Sequence, residues 1–105
     1  MDFKKLSRNL GLDEEDFIEL VELFTSTAPD DIGKLQAASE SGDSQMAVEA
    51  AHSLKGASGN LGFSEFSSIA GEAEKLGRSG DIGNLAETIK LLNEKLEQIR
   101  SYING

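Results

Sequence analysis

The chain has 105 residues, 38% of them hydrophobic, and a formal net charge of −9; this suits one domain, 1–105, with a modest core, and is too acidic for nucleic acid or an anionic membrane to be an expected partner. It contains no cysteine, which excludes a disulfide scaffold, a thiolate zinc site and a cysteine nucleophile and fits a reducing compartment. No apolar run approaches a membrane span, and Met1 to Leu10 carries Lys4, Lys5 and Arg8 without the apolar stretch of a secretory signal, so a cytoplasmic protein is expected.

The predicted elements are all helical, because runs of alternating β-branched residues are missing. Glycines at 11, 42, 62 and 80 punctuate them. The first segment, Asp2 to Leu10, is short, with Phe3, Leu6 and Leu10 at helical spacing. The second opens with Asp13 as a cap and Glu14, Glu15 and Asp16 at the positive end of the helix dipole. Leu12 and Phe17 are placed for a hydrophobic staple. Apolar residues then recur at Phe17, Leu20, Val21, Phe24, Ala28, Ile32 and Leu35. Pro29 falls inside this pattern and either kinks one helix or starts another; a kinked helix from about Glu14 to Glu40 is the favoured reading.

The third segment opens at Asp43 or Ser44 and runs to about Leu61, with a seam of small residues at Ala47, Ala51, Leu54, Ser58 and Leu61 and with Gly62 as its left-handed stop. The fourth, about Ser64 to Ser79, carries a stripe of Phe66, Ile69, Ala70, Ala73 and Leu76. The fifth starts at Asp81 and keeps steps of three and four through Ile82, Leu85, Ile89, Leu92, Leu96, Ile99 and Ile103. Four long amphipathic helices with short connections predict an all-α, up-and-down antiparallel four-helix bundle, with the short N-terminal helix across one end.

His52 is the single histidine and sits in the middle of the third helix. At about 100° per residue, its face contains Val48, Glu49, Lys55, Gly56 and Gly59, and Leu54 lies opposite. The imidazole is therefore expected to be exposed. Gly56 and Gly59 each cost roughly 1 kcal/mol relative to alanine inside a helix, so their presence beside an outward ring needs a reason. They clear the approach for another protein's backbone. Lys55 adds positive charge where an anionic group on the ring would gain a charge-assisted contact. Histidine titrates near neutrality, and its neutral form is a nucleophile without a dedicated base. Glu49 is the one carboxylate close by in sequence, and it either orients the ring or is simply solvated.

The stretch Ala51-His52-Ser53-Leu54-Lys55-Gly56-Ala57-Ser58-Gly59-Asn60-Leu61-Gly62 resembles the signature of histidine phosphotransfer (HPt) domains. The acidic helix before it and the Ser-Gly-Asp turns at 41–43 and 79–81 are similar to that family too. The resemblance implies a phosphoryl carrier without kinase activity of its own. It would accept a phosphoryl group on His52, through Nε2, from a receiver-domain aspartate and pass it to a second receiver in a two-component phosphorelay. By position Lys55 stabilises the phosphoryl charge, and Gly56 and Gly59 give access. The partners implied are response-regulator receivers, and a hybrid sensor kinase as their source. No cofactor is bound by this chain, and Mg²⁺ is expected in the receiver. A monomer is expected, and both a free-standing protein and one domain of a larger sensor kinase fit the sequence.

A docking surface is read from Val48, Glu49, Leu20 and Phe24. The apolar arc of the second helix, from Leu23 through Leu20, Phe24, Phe17 and Val21 to Ile18, spans about 220° on the helical wheel, whereas one seam needs about 100°. The surplus meets the N-terminal helix, a receiver helix, or both. Two alternatives stay open: a non-catalytic helical adaptor of the same ancestry, and the phosphoacceptor domain of a chemotaxis-type kinase. A metal site or a Ser-His hydrolase is disfavoured, since no second ligand or correctly spaced serine accompanies His52.

Overall fold

Three aspartates open helices. In this computed structural model, which describes residues 2–104, Asp2 accepts from Lys5 N at 3.1 Å, Asp13 from Asp16 N at 2.8 Å and Asp43 from Met46 N at 3.1 Å. Each bond satisfies an amide that the first turn leaves unpaired. The helices that follow are α1 (Phe3–Asn9), α2 (Glu14–Ser41) and α3 (Ser44–Asn60), then α4 (Ser64–Ser79) and α5 (Leu85–Asn104). No strand occurs among the described residues. The four punctuating glycines are those with positive φ; Gly42 and Gly80, at +76° and +77°, form the left-handed caps of α2 and α4.

Pro29 does not break α2, which runs through it. Proline lacks the N–H that would bond the carbonyl of Thr25, four residues back. Arg100 on α5 takes that place, its Nη2 donating to the Thr25 carbonyl at 3.3 Å. The fifth segment departs from expectation at its start. Residues Ile82–Asn84 form a 3₁₀ turn and the α-helix begins at Leu85. The Asp81 carboxylate is engaged by the Asn84 side-chain amide at 2.8 and 2.9 Å and makes no bond to a backbone amide of the next turn.

Helices α2, α3, α4 and α5 form a ring in chain order, with α5 packing back on α2 and α1 packing on α2. Short connections make neighbours antiparallel, the up-and-down bundle. The buried set includes Phe17, Val21, Phe24, Ile32 and Leu35 of α2 and Leu85, Ile89, Leu92, Leu96 and Ile99 of α5. From α3 and α4 it takes chiefly alanines, at positions 47, 50, 51, 70 and 73, with Leu54 and Phe66. Phe24 stacks edge-on against Phe66 at 5.1 Å and tilts against Phe63 at 5.8 Å. Phe3 of α1 meets Phe17 edge-on at 5.6 Å. No helix among the described residues is long and apolar enough to cross a membrane.

Candidate functional site

Small residues let α3 and α4 approach until their backbones nearly touch. A Cβ on Gly77 would lie 2.9 Å from Val48 Cγ2 and 3.2 Å from Val48 N, closer than real side chains pack. One turn along each helix from that contact, the same approach brings Glu74 of α4 against His52 of α3. The His52 side chain is 70% exposed, while that of Glu74 is only 8% exposed.

Three positive or polar donors converge on the Glu74 carboxylate. His52 Nδ1 is 3.0 Å from Oε2, Arg78 Nη2 donates to Oε2 at 2.8 Å, and Lys55 Nζ donates to Oε1 at 3.3 Å. Arg78 is the largest influence holding the carboxyl low, at about 2; burial pushes the other way, and Lys55 and His52 add to the lowering. Glu74 is thus an ionised acceptor, which can only receive a hydrogen bond. Nδ1 must then carry the proton and donate it to Oε2. The lone pair of the neutral ring is left on Nε2, on the edge directed away from this contact. The arrangement presents a nucleophilic nitrogen to solvent with its opposite edge fixed by a carboxylate.

Lys55, expected beside the ring, is there and half exposed, its stem crossing Gly71 so that a Cβ on that glycine would meet Lys55 Cδ at 3.8 Å. A Cβ on Gly56 would meet nothing within 4 Å, so that flank of the helix is open. Gly59 is differently placed: a Cβ there would lie 3.4 Å from Ser67 Oγ of α4. Glu49 is turned to Gln45, whose Nε2 donates to it at 3.2 Å, and the carboxylate that meets the ring is Glu74. Val48 is half-buried against Gly77 and Glu49 is exposed. Leu20 is 42% and Leu23 60% exposed. Phe24 is not available for docking: at 4% exposure it is held in the core by the rings of Phe63 and Phe66. The sequence reading missed Glu74 and Arg78. Its signal was a carboxylate four residues after Ala70, at the edge of the apolar stripe of α4.

The model of the Hpt domain matches residues 19–102. The chain belongs to the Hpt domain family. Its role is therefore histidine phosphotransfer in a phosphorelay, and receiver domains are the partners with which Hpt domains work. The crystal structure of histidine-containing phosphotransfer protein B (HptB) from Pseudomonas aeruginosa PAO1 superposes with a TM-score of 0.86 at 24% identity, covering 99% of this chain and 90% of that one. At that identity the likeness speaks for the Hpt bundle itself. No match was found among curated proteins.

Proposed function

We propose that His52 is the phosphoacceptor of this Hpt domain, reacting through Nε2, and that Glu74 fixes the reactive tautomer. The observation that carries this is the 3.0 Å contact of His52 Nδ1 with a carboxylate that stays ionised. The Nε2 lone pair attacks the phosphorus of a receiver aspartyl phosphate. The N–P bond forms as the P–O bond breaks, and the electron pair of that bond returns to the aspartate. Nδ1 keeps its proton, so the ring becomes a phosphoimidazolium whose positive charge faces Glu74. In onward transfer an aspartate oxygen of the second receiver attacks the phosphorus. The O–P bond forms as the N–P bond breaks, its electron pair returns to Nε2, and a neutral Nδ1–H imidazole leaves. No base is needed in either direction. Lys55 supplies positive charge to the phosphoryl oxygens, and Gly56 leaves room for the receiver. Among the described residues no three His, Asp or Glu side chains cluster as a metal site, and Mg²⁺ chemistry is assigned to the receiver.

Docking is assigned to the face of α2 that carries Leu20, with Glu49 at its border. Ser53, beside His52, donates to Asp31 of α2 at 2.9 Å. Leu20 lies about 20° around α2 from Asp31 and about 16 Å along it, so an exposed leucine extends the surface on the His52 side. The protein acts as a monomeric carrier in the cytoplasm, without kinase activity of its own. The decisive experiment is transfer from a radiolabelled phospho-receiver to wild-type protein and to His52→Gln. Acid-labile, base-stable label on the wild type alone is expected. Equal labelling of the variant would move the acceptor to another residue, and no labelling from a panel of receivers would leave a helical adaptor.

A further inference from the structure

Glu74 has two cationic partners, Lys55 and Arg78, and only Lys55 is on the helix that carries His52. We propose that Lys55 and Arg78 divide the work: Lys55 leaves Glu74 for the phosphoryl group, while Arg78 stays and, as a positioning residue, keeps Glu74 on His52 Nδ1. This deepens the assignment of His52 and rests on it.

The two contacts differ in ways that fit the division. Lys55 is on α3, three residues from His52, and its ammonium holds Oε1 at 3.3 Å with half of the side chain exposed. Turning its last torsions toward Nε2 breaks one long contact. Arg78 is on α4, four residues from Glu74, and holds Oε2 at 2.8 Å. That is the oxygen that also accepts from His52 Nδ1 at 3.0 Å. A guanidinium sharing an oxygen with the ring fixes the rotation of the carboxylate about its own axis. It does so from the helix that already carries Glu74, independently of what happens on α3.

Charge balance gives the second argument. The Glu74 side chain is 8% exposed, and a carboxylate so enclosed is costly once its counter-ion is removed. Among the described residues, Lys55 and Arg78 are the lysine and arginine that pair with Glu74, so when Lys55 turns to a phosphoryl group Arg78 is the one already in place. On α4, Lys75 pairs with Glu72 at 3.7 Å. On α3, Glu49 accepts from Gln45, and on α2, Asp31 accepts from Ser53. Arg78 is the cation left on Glu74 at the moment when the ring becomes positive and the Nδ1–H bond matters most.

The test uses phosphoramidate as a small phosphoryl donor and protein labelled with ¹⁵N-histidine. Ring nitrogen shifts report the tautomer, and exchange of the Nδ1 proton reports its bond. In unphosphorylated Arg78→Gln the Nδ1–H tautomer is expected to persist, because Lys55 still holds Glu74. After phosphorylation the Nδ1 proton should exchange about tenfold faster than in wild type, the worth of one charge-assisted hydrogen bond. Transfer to a receiver should fall by a similar factor, and Arg78→Lys should restore most of both. Lys55→Gln should slow phosphorylation yet keep the Nδ1–H bond in either state. Arg78 is exposed, and unchanged circular dichroism of its variants would verify the fold. Arg78→Gln matching wild type in both states, or losing the tautomer before phosphorylation, would overturn the division of labour. Phosphorylation of His52→Gln to the wild-type level would instead overturn the assignment beneath it.

Discussion

The seam between α2 and α5 and the seam between α3 and α4 are built from different materials. The first joins residues such as Phe17, Leu35, Leu92 and Ile99, all at most 2% exposed, and buries large apolar area. The second joins alanines, Gly77 and Ser58 and encloses one ionised carboxylate. Large side chains hold helices together through the area they remove from water. Small ones contribute less area but let two backbones close until polar groups on adjacent helices meet. The bundle thus stores stability on one side and spends close approach on the other, where His52 and Glu74 need it.

That contrast predicts opposite costs for two core substitutions. Leu92→Ala should remove about 2–5 kcal/mol of stability, read by urea unfolding, with phosphotransfer per folded molecule unchanged. Gly77→Ala places a Cβ against Val48 Cγ2 and N and should cost about 1–3 kcal/mol through overpacking. It should also move α4 away from His52 and reduce transfer per folded molecule about tenfold, the loss of one hydrogen bond to a charged group. Equal effects on transfer from both variants would erase the distinction between the seams.

Acid sharpens the same comparison. The carboxyl of Glu74 is lowered from 4.5 to about 2 in the fold, first by Arg78. A depressed carboxyl stabilises the native state fully above its ordinary value, and that stability is lost as pH falls from about 4.5 toward 2. The contribution should be on the order of 1–3 kcal/mol, since its cationic partners are exposed and screened. Urea midpoints measured across this window should drop less steeply in Glu74→Gln than in wild type. Glu65, held low by Lys95, titrates in both proteins and cancels. Parallel profiles would show that the carboxylate is not engaged by its three donors.

The difference between the seams also explains what the sequence disclosed. Every member of the series from Ile82, in the 3₁₀ turn, to Ile99 of α5 is buried, because large apolar residues at helical spacing have one place to go. The aspartate caps and the stopping glycines were equally readable, since each answers a local need of the backbone. The exposure of His52 and the nearness of Lys55 were legible on one helix. Glu74 and Arg78 were not, because their meaning depends on α4 lying against α3, a distance of 22 residues in sequence for the His52 contact. Phe24 misled for a related reason: its place on the wide apolar arc of α2 did not show that Phe63, in the α3–α4 connection, and Phe66 would cover it.

The smallest predicted effect comes from Gly56, the counterpart of Gly77. Both are helical glycines on the seam-bearing helices, but a Cβ at Gly56 meets only open space. Gly56→Ala should therefore stabilise the protein by about 0.5–1 kcal/mol, the ordinary gain at an exposed helical site, where Gly77→Ala destabilises it. If Gly56 serves access, its absent side chain matters only to a large partner. Gly56→Val should leave phosphorylation by phosphoramidate at the wild-type rate and slow transfer from a phospho-receiver several-fold, about 1 kcal/mol of lost interface fit. Slowing with both donors would place the effect on the imidazole itself, and slowing with neither would show that receivers approach His52 without crossing Gly56.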